Sequence, residues 1–248
     1  MNTQAVIFKD LGQMDYQSAW DIQERLLMEK VEAKTRIRES IAVERSLHGM
    51  PPHVPIVEIP HHLLFVEHLP VYTLGKSGKK EHVLIDDHEL KNREISFFNT
   101  NRGGDITFHG PGQIVGYPIL DLELFYTDIG KYLRNLEEVI IKTLTEYGIE
   151  SGRSKGETGV WIDAAIAGKE RKICAIGVRC SRWITMHGFA FNVNTDLGYF
   201  DHIIPCGIVN KKVTSLSKEL ARQPDMEEVK EKVKRNFEEV FGVQLVDE

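Results

Sequence analysis

The chain has 248 residues, 42% hydrophobic and 27% charged, with a formal net charge of -6. This is the composition of an ordinary globular protein, and the acidic balance argues against a general nucleic-acid binder, which would carry a basic surplus. Three cysteines without a Cys-x-x-Cys pair indicate neither a disulfide framework nor a structural zinc site, and neither a signal peptide nor an apolar run near the roughly 20 residues of a membrane span is recognisable, so the expectation is one cytosolic domain with free thiols and no metal.

In chain order, residues 5–9 read as a strand. Asp15 is placed to cap a long amphipathic helix carrying Tyr16, Trp20, Leu27, Val31, Ile37 and Ile41 at helical spacing, which should end before His48-Gly-Met-Pro-Pro52. An irregular connection to Pro60 follows. His48, His53, His61 and His62 lie close in sequence, but no carboxylate or cysteine completes a metal-ligand spacing, so they are expected as surface histidines. Residues 63–67 and 71–74 are strand candidates split by Pro70, followed by the basic turn Gly75-Lys-Ser-Gly-Lys-Lys80. That turn lacks the full spacing of a nucleotide phosphate loop and reads either as a solvated charged turn or as a docking patch for an acidic partner. Residues 86–93 suggest a short helix.

The centre of the chain is Arg102-Gly-Gly-Asp-Ile-Thr-Phe-His-Gly-Pro-Gly-Gln113. Its glycines permit backbone conformations closed to other residues and let a ligand approach the main chain; the alternative is a glycine-rich hairpin with no ligand. Apolar runs at 95–98 and 114–120 predict buried strands on either side. Beyond it, residues 127–147 form a helix stopped at Gly148. Residues 160–162 and 173–178 predict strands joined by an exposed turn around Gly168, residues 186–193 a strand interrupted by Gly188, residues 226–241 a last helix after Pro224, and residues 243–246 a final strand. The fold class is α/β (α+β), with a largely antiparallel or mixed sheet flanked by helices.

Four side chains suggest chemistry. Cys206 stands in Ile-Pro-Cys-Gly-Ile, where Pro205 and Gly207 favour an exposed turn, so it is either a displayed nucleophile or a small buried residue. Lys172 opens Lys-Ile-Cys-Ala-Ile-Gly177; burial there would depress its pKa and make a base of it, whereas a lysine at a strand end can equally snorkel to water. His109 and His187 each precede a glycine and are proton shuttles or hydrogen-bonded loop histidines. Cys174 and Cys180 fit packing roles better than reactive ones.

Taken together, Pro70-Val-Tyr-Thr-Leu-Gly75, the loop from Arg102 to Gln113, Gly159-Val-Trp161, Lys172-Ile-Cys-Ala-Ile-Gly177, His187-Gly-Phe-Ala-Phe-Asn-Val193 and Pro205-Cys-Gly207 resemble the lipoyl(octanoyl)transferases of protein lipoylation. The resemblance implies the catalytic-domain fold shared with lipoate and biotin protein ligases. It implies octanoyl transfer from octanoyl-acyl carrier protein, through a cysteine thioester, to a lysine of the lipoyl domains of 2-oxoacid dehydrogenase complexes and of the glycine cleavage H protein, with no cofactor. Cys206 is then the nucleophile, and Lys172 lowers its pKa or takes its proton. The acyl site would be lined by Arg102, Gly103, Gly104, Asp105, Ile106, Thr107, Phe108 and His109, by Ala175, Ile176 and Gly177, and by Gly188, Phe189 and Ala190. An ATP-dependent ligase on the same fold is the rival reading, and a silent acyl-binding protein a second. Three features depart from the family pattern: a long connection from His48 to Glu58, Cys174 where alanine is commoner, and the charges of Lys169-Glu-Arg171 beside Lys172.

Overall fold

The computed structural model describes residues 4–48, 60–204 and 212–247. Strand β1 (Gln4–Met14) leads into helix α1 (Tyr16–His48). The carboxylate of Asp15 accepts the Ser18 N–H at 2.9 Å, the N-cap the sequence predicts. Strands β2 (His61–His68) and β3 (Val71–Leu74), helix α2 (Asp87–Asn92), and strands β4 (Ser96–Asn99), β5 (Ile106–His109) and β6 (Gln113–Ile119) follow. Helix α3 (Ile129–Thr145) precedes β7 (Val160–Ile162), β8 (Arg171–Ser181) and β9 (Ile184–Asn192). The described chain then runs through β10 (Lys212–Val213), α4 (Leu216–Leu220), α5 (Met226–Phe241) and β11 (Val243–Asp247).

The large sheet has the order β10-β8-β9-β6-β2-β1-β11, with β7 also paired to β8. It is mixed, as expected: β1 runs parallel to both β2 and β11, whereas β2, β6, β9 and β8 pair antiparallel in succession. A second sheet, β4-β3-β5, stands apart from it. On one face of the large sheet, α3 and α5 bury Leu136, Ile140, Val233 and Phe237 against Phe65, Phe189 and Phe191. On the other, α1 packs Ala19, Leu27 and Val31 against Leu64, Val115, Tyr117 and Ala190.

Four local readings change. The Arg102 to Gln113 stretch is not one loop, because β5 occupies its middle and pairs with β3. The run at 95–98 forms β4, but only partly buried, since β4 edges the small sheet. Gly188 does not interrupt β9; it lies in register opposite Gly177 on β8. His61 and His62 are not surface residues, being 4% and 8% exposed within β2. There they meet polar partners from neighbouring segments: His61 Nδ1 accepts the Asp121 N–H at 3.2 Å, and His62 Nδ1 lies 3.2 Å from Lys30 Nζ of α1. Lys30 also reaches the Pro60 carbonyl, and burial lowers its pKa to about 8. Four residues further along α1, Lys34 is buried against Asp121 at 2.8 Å and Glu123 at 3.0 Å. The connection after His48 lies outside the described residues.

Close packing at the centre of the sheet leaves no room for a methyl group. An added Cβ at Gly188 would stand 2.1 Å from the Gly116 carbonyl oxygen. Gly188→Ala is expected to cost about 1–3 kcal/mol, read as a lowered thermal midpoint. Gly152→Ala, with nothing within 4 Å of the new carbon, should leave the midpoint nearly unchanged; equal midpoints for the two variants would show that the strands separate freely at Gly188.

Candidate active site

Ala175 faces Ala190 and Gly177 faces Gly188 across the β8–β9 pair, so these strands offer an unusually low floor on the α1 side of the sheet. The loop between β4 and β5 settles onto it. Gly103 N–H donates to the Val178 carbonyl at 2.9 Å, and a Cβ on Gly177 would stand 2.8 Å from the Gly103 oxygen. The same closeness recurs outside the loop, where a Cβ at Gly75 would meet the Gly104 oxygen at 2.3 Å. The basic turn forms the outer layer: Lys76 N–H bonds the Arg102 carbonyl at 3.0 Å and Ser77 N–H that of Gly104 at 3.1 Å.

Arg102 is buried and turned inward, its Nη2 donating to the Thr73 carbonyl at 2.6 Å, the Thr73 hydroxyl at 2.9 Å and the Asp105 carbonyl at 2.8 Å. These bonds hold the loop in shape. Beneath it opens a cavity of about 730 Å3, within the roughly 300–1,000 Å3 of small-molecule sites. Every substrate-side residue expected from the resemblance borders this cavity except Phe108. Phe108 instead packs into the small sheet's own core, stacked on Tyr199 with ring centroids 4.4 Å apart.

One wall is polar, and its hydrogen bonds define the histidine tautomers. Gln113 Nε2 donates to the Phe108 carbonyl and to Asn192 Oδ1, leaving Gln113 Oε1 to accept from His109 Nδ1 at 2.8 Å. His109 Nε2 must then accept the Thr73 hydroxyl at 3.3 Å. His68 Nδ1 donates to the Met14 carbonyl, so its Nε2 accepts the Tyr117 hydroxyl at 2.7 Å. Asn101 Nδ2 donates to Glu24, which leaves its Oδ1 to accept from His187 Nε2 at 2.8 Å. Burial holds His68 down to about 4 and His187 to about 3, and places His109 well below its ordinary value, with the Arg102 charge adding to the depression of the last two. His109 and His187 are therefore neutral struts within the wall. His187 reaches it through a left-handed backbone, φ 56°, which swings its ring from the face of Phe189 and Phe191 toward Trp20 and Tyr117; its N–H is taken by Gln23 at 2.9 Å.

Lys172 borders the same cavity, its ammonium 4.6 Å from the centre of the Trp161 ring. Its carbonyl accepts the Thr214 N–H at 2.9 Å, and the Thr214 carbonyl in turn accepts from Asn192 Nδ2 at 3.0 Å. The neighbouring charge of Arg171 is directed away from the lysine into a fork of bonds to Glu219 at 2.7 and 2.6 Å and a contact with Asp163. Cys174 is fully buried in the core, where desolvation pushes its thiol far up and makes it a poor nucleophile. Cys206 lies outside the described residues.

Sequence reasoning passed over the wall residues contributed by α1, chiefly Tyr16, Trp20, Gln23 and Glu24. A signal existed: Gln23 falls on the buried stripe of Tyr16, Ala19 and Leu27, where a polar residue needs an internal partner.

The model of the lipoyl protein ligase A/B catalytic domain matches residues 15–238. An octanoyltransferase from Christiangramia forsetii is 55% identical over 240 residues, 96% of each chain. Among solved structures, the bi-partite lipoate protein ligase of Thermoplasma acidophilum superposes with a TM-score of 0.67 at 16% identity, covering 100% of this chain and 87% of that one. The biotin protein ligase of Aquifex aeolicus gives 0.52 at 15%, covering 95% and 70%. These two likenesses establish the fold expected from the sequence.

The neutral wall has a consequence for stability. His61 is also lowered, to about 4, by burial and by Lys30, so His61, His68, His109 and His187 all bind protons more weakly folded than unfolded, where each titrates near about 6.5. The unfolded chain takes up protons first as pH falls, so the stabilisation is complete above about pH 6.5 and is lost toward about pH 4. Thermal unfolding is expected to show a midpoint that declines steadily across that window, each histidine contributing up to about 1.4 kcal/mol per pH unit. A midpoint independent of pH there would show that the wall admits protons without opening.

Proposed function

The chain belongs to the lipoyl protein ligase A/B catalytic-domain family and, within it, to the octanoyltransferases, and on that premise we propose that it carries an octanoyl group from the thioester of an acyl carrier protein, through Cys206, to a lysine of a lipoyl domain. The observation that carries this reading is the meeting of Lys172, the glycine loop and the low Ala175–Ala190 floor at one cavity, in a chain 55% identical to an octanoyltransferase. In the first half-reaction the Cys206 thiolate adds to the donor carbonyl carbon, the bond from that carbon to the carrier sulfur breaks, and the carrier leaves as a thiol once it gains a proton. In the second, the acceptor amine adds to the enzyme thioester, the carbon–sulfur bond to Cys206 breaks, the amide forms and the amine's surplus proton is released. Lys172 stabilises the thiolate as an ammonium and relays these protons. Exchange of one thioester for another is nearly balanced, and formation of the amide drives the cycle without ATP.

The ligase reading is not favoured, because likeness to the ligases rests on the fold at 15–16% identity. No helix among the described residues is long and apolar enough to cross a membrane, in keeping with the cytosolic setting we propose. The acceptors we propose are the lipoyl domains of 2-oxoacid dehydrogenase complexes and the glycine cleavage H protein.

Octanoyl carrier protein alone should convert the enzyme to an acyl-enzyme detectable by mass, with the added group mapped to Cys206, and Cys206→Ser should abolish turnover. Acylation at Cys174, or modification of a lipoyl domain from free octanoate and ATP, would sink the assignment. Lys172→Ala should slow both half-reactions by roughly 100- to 10,000-fold; a loss below about tenfold would reduce Lys172 to a packing role.

Lys76, Lys79 and Lys80 are exposed on the turn bonded to the glycine loop, which supports that turn as a landing place for an acidic carrier. Reversing the three charges should raise the KM for carrier protein and flatten its salt dependence, while a small octanoyl thioester reacts as before. Equal loss with both donors would implicate the turn in shaping the site, and unchanged carrier kinetics would remove it from the docking surface.

A further inference from the structure

Among the described residues, strand β8 leaves part of one edge unpaired where it borders the cavity. Residues along a strand alternate between turning their backbone groups toward one neighbour and toward the other. The Val178 carbonyl turns away from β9, since it accepts from Gly103, and the N–H of His187, opposite Val178 on β9, is bonded to Gln23 instead. Four residues before Val178 on the same edge is Cys174, paired to β7, with its carbonyl 2.6 Å from where a Cβ on Gly159 would stand. Ile176 lies between them, opposite Phe189, and so turns both its N–H and its C=O outward. No hydrogen bond from the described residues reaches those two groups, and Ile176 borders the cavity.

A half-buried strand edge with one donor and one acceptor open is a template for an extended chain that carries amides. The same cavity is bordered by residues to which the sequence reading gave no substrate role: Ile129 and Leu133 of α3, and Lys155, Glu157 and Thr158. Lys155 is exposed and joins none of the salt bridges among the described residues.

Resting on the octanoyltransferase reading, we infer that this edge receives the thiol-side arm of the donor, a phosphopantetheine, whose amides bond Ile176 as a short pseudo-strand and whose phosphate meets Lys155. The acyl chain then lies on the opposite side of the edge, over Ala175 and Ala190. A peptide segment around an acceptor lysine would offer similar amides, but it would bring a second cation toward Lys155, whereas the phosphorylated arm brings the complementary charge.

Single-turnover acylation, followed by mass, with octanoyl thioesters of phosphopantetheine, pantetheine, N-acetylcysteamine and 2-mercaptoethanol tests this directly. Each amide removed should lower the rate constant by about 2- to 10-fold, the worth of one hydrogen bond. Loss of the phosphate should slow the wild type and leave Lys155→Ala indifferent. Ile176→Pro, which deletes the N–H at an edge position where proline is tolerated, should flatten the amide series; should that variant not fold, the donor series on the wild type still decides. Equal rates with all four thioesters would overturn the inference and leave octanoyl transfer standing, whereas failure of every thioester to acylate the enzyme would overturn the reading beneath it. If Ile176→Pro impaired only delivery from a preformed acyl-enzyme to a lipoyl domain, the edge would belong to the acceptor, and the inference would fall.

Discussion

The bond from the Gly103 amide to the Val178 carbonyl fixes the small sheet's loop on the large sheet, and it can form because Gly177 and Gly188 face each other beneath it. A side chain on Gly177 would lift Gly103 away and displace Arg102, whose guanidinium sits 3.3 Å from where that Cβ would be. Arg102 in turn gathers the carbonyls of Thr73, Gly103 and Asp105, so one backbone contact holds the geometry of the cavity roof and of the turn stacked outside it. Substituting larger residues in this column would alter the roof before it altered the core.

The electrostatics of the site follow from the same arrangement. The bonds that Arg102 Nη1 and Nη2 make run to the Thr73, Gly103 and Asp105 carbonyls and to the Thr73 hydroxyl. The surrounding histidines stay neutral, partly because of that cation, and Lys172 stands at the other end of the cavity. The cavity lining thus brings basic side chains, Arg102, Lys155 and Lys172, together with the acidic Asp105 and Glu157. For the proposed reaction, donors and dipoles held in advance in this way would not have to reorganise as charge develops on the acyl oxygen.

Local signals made most elements readable. Aspartates at 15, 86, 128 and 225 each accept an N–H of the first helical turn, and Gly148 and Gly242 adopt the left-handed conformation that ends a helix. The loop, the lysine strand and the His187 strand were legible as a group through their motifs. What the sequence concealed depends on distant partners. The left-handed turn at His187 has no local cause and is held by Gln23, 164 positions away. Lys30 and Lys34 look like solvated helix charges until β2 and Asp121 enclose them. That β3, β4 and β5 leave the main sheet could not be read from patterns that are apolar in both sheets.

The parallel pairing of β1 with β11 brings Gln4 beside Val243 and Phe8 beside Asp247. A ribosome therefore releases β1 long before its partner exists, and until β11 has been made one side of that eleven-residue strand has no mate. Closing so distant a contact is slow relative to forming the local hairpin of β8 and β9, so the nascent protein carries an adhesive border that chaperones, or its own charged residues Lys9 and Asp10, must keep from joining a neighbouring chain.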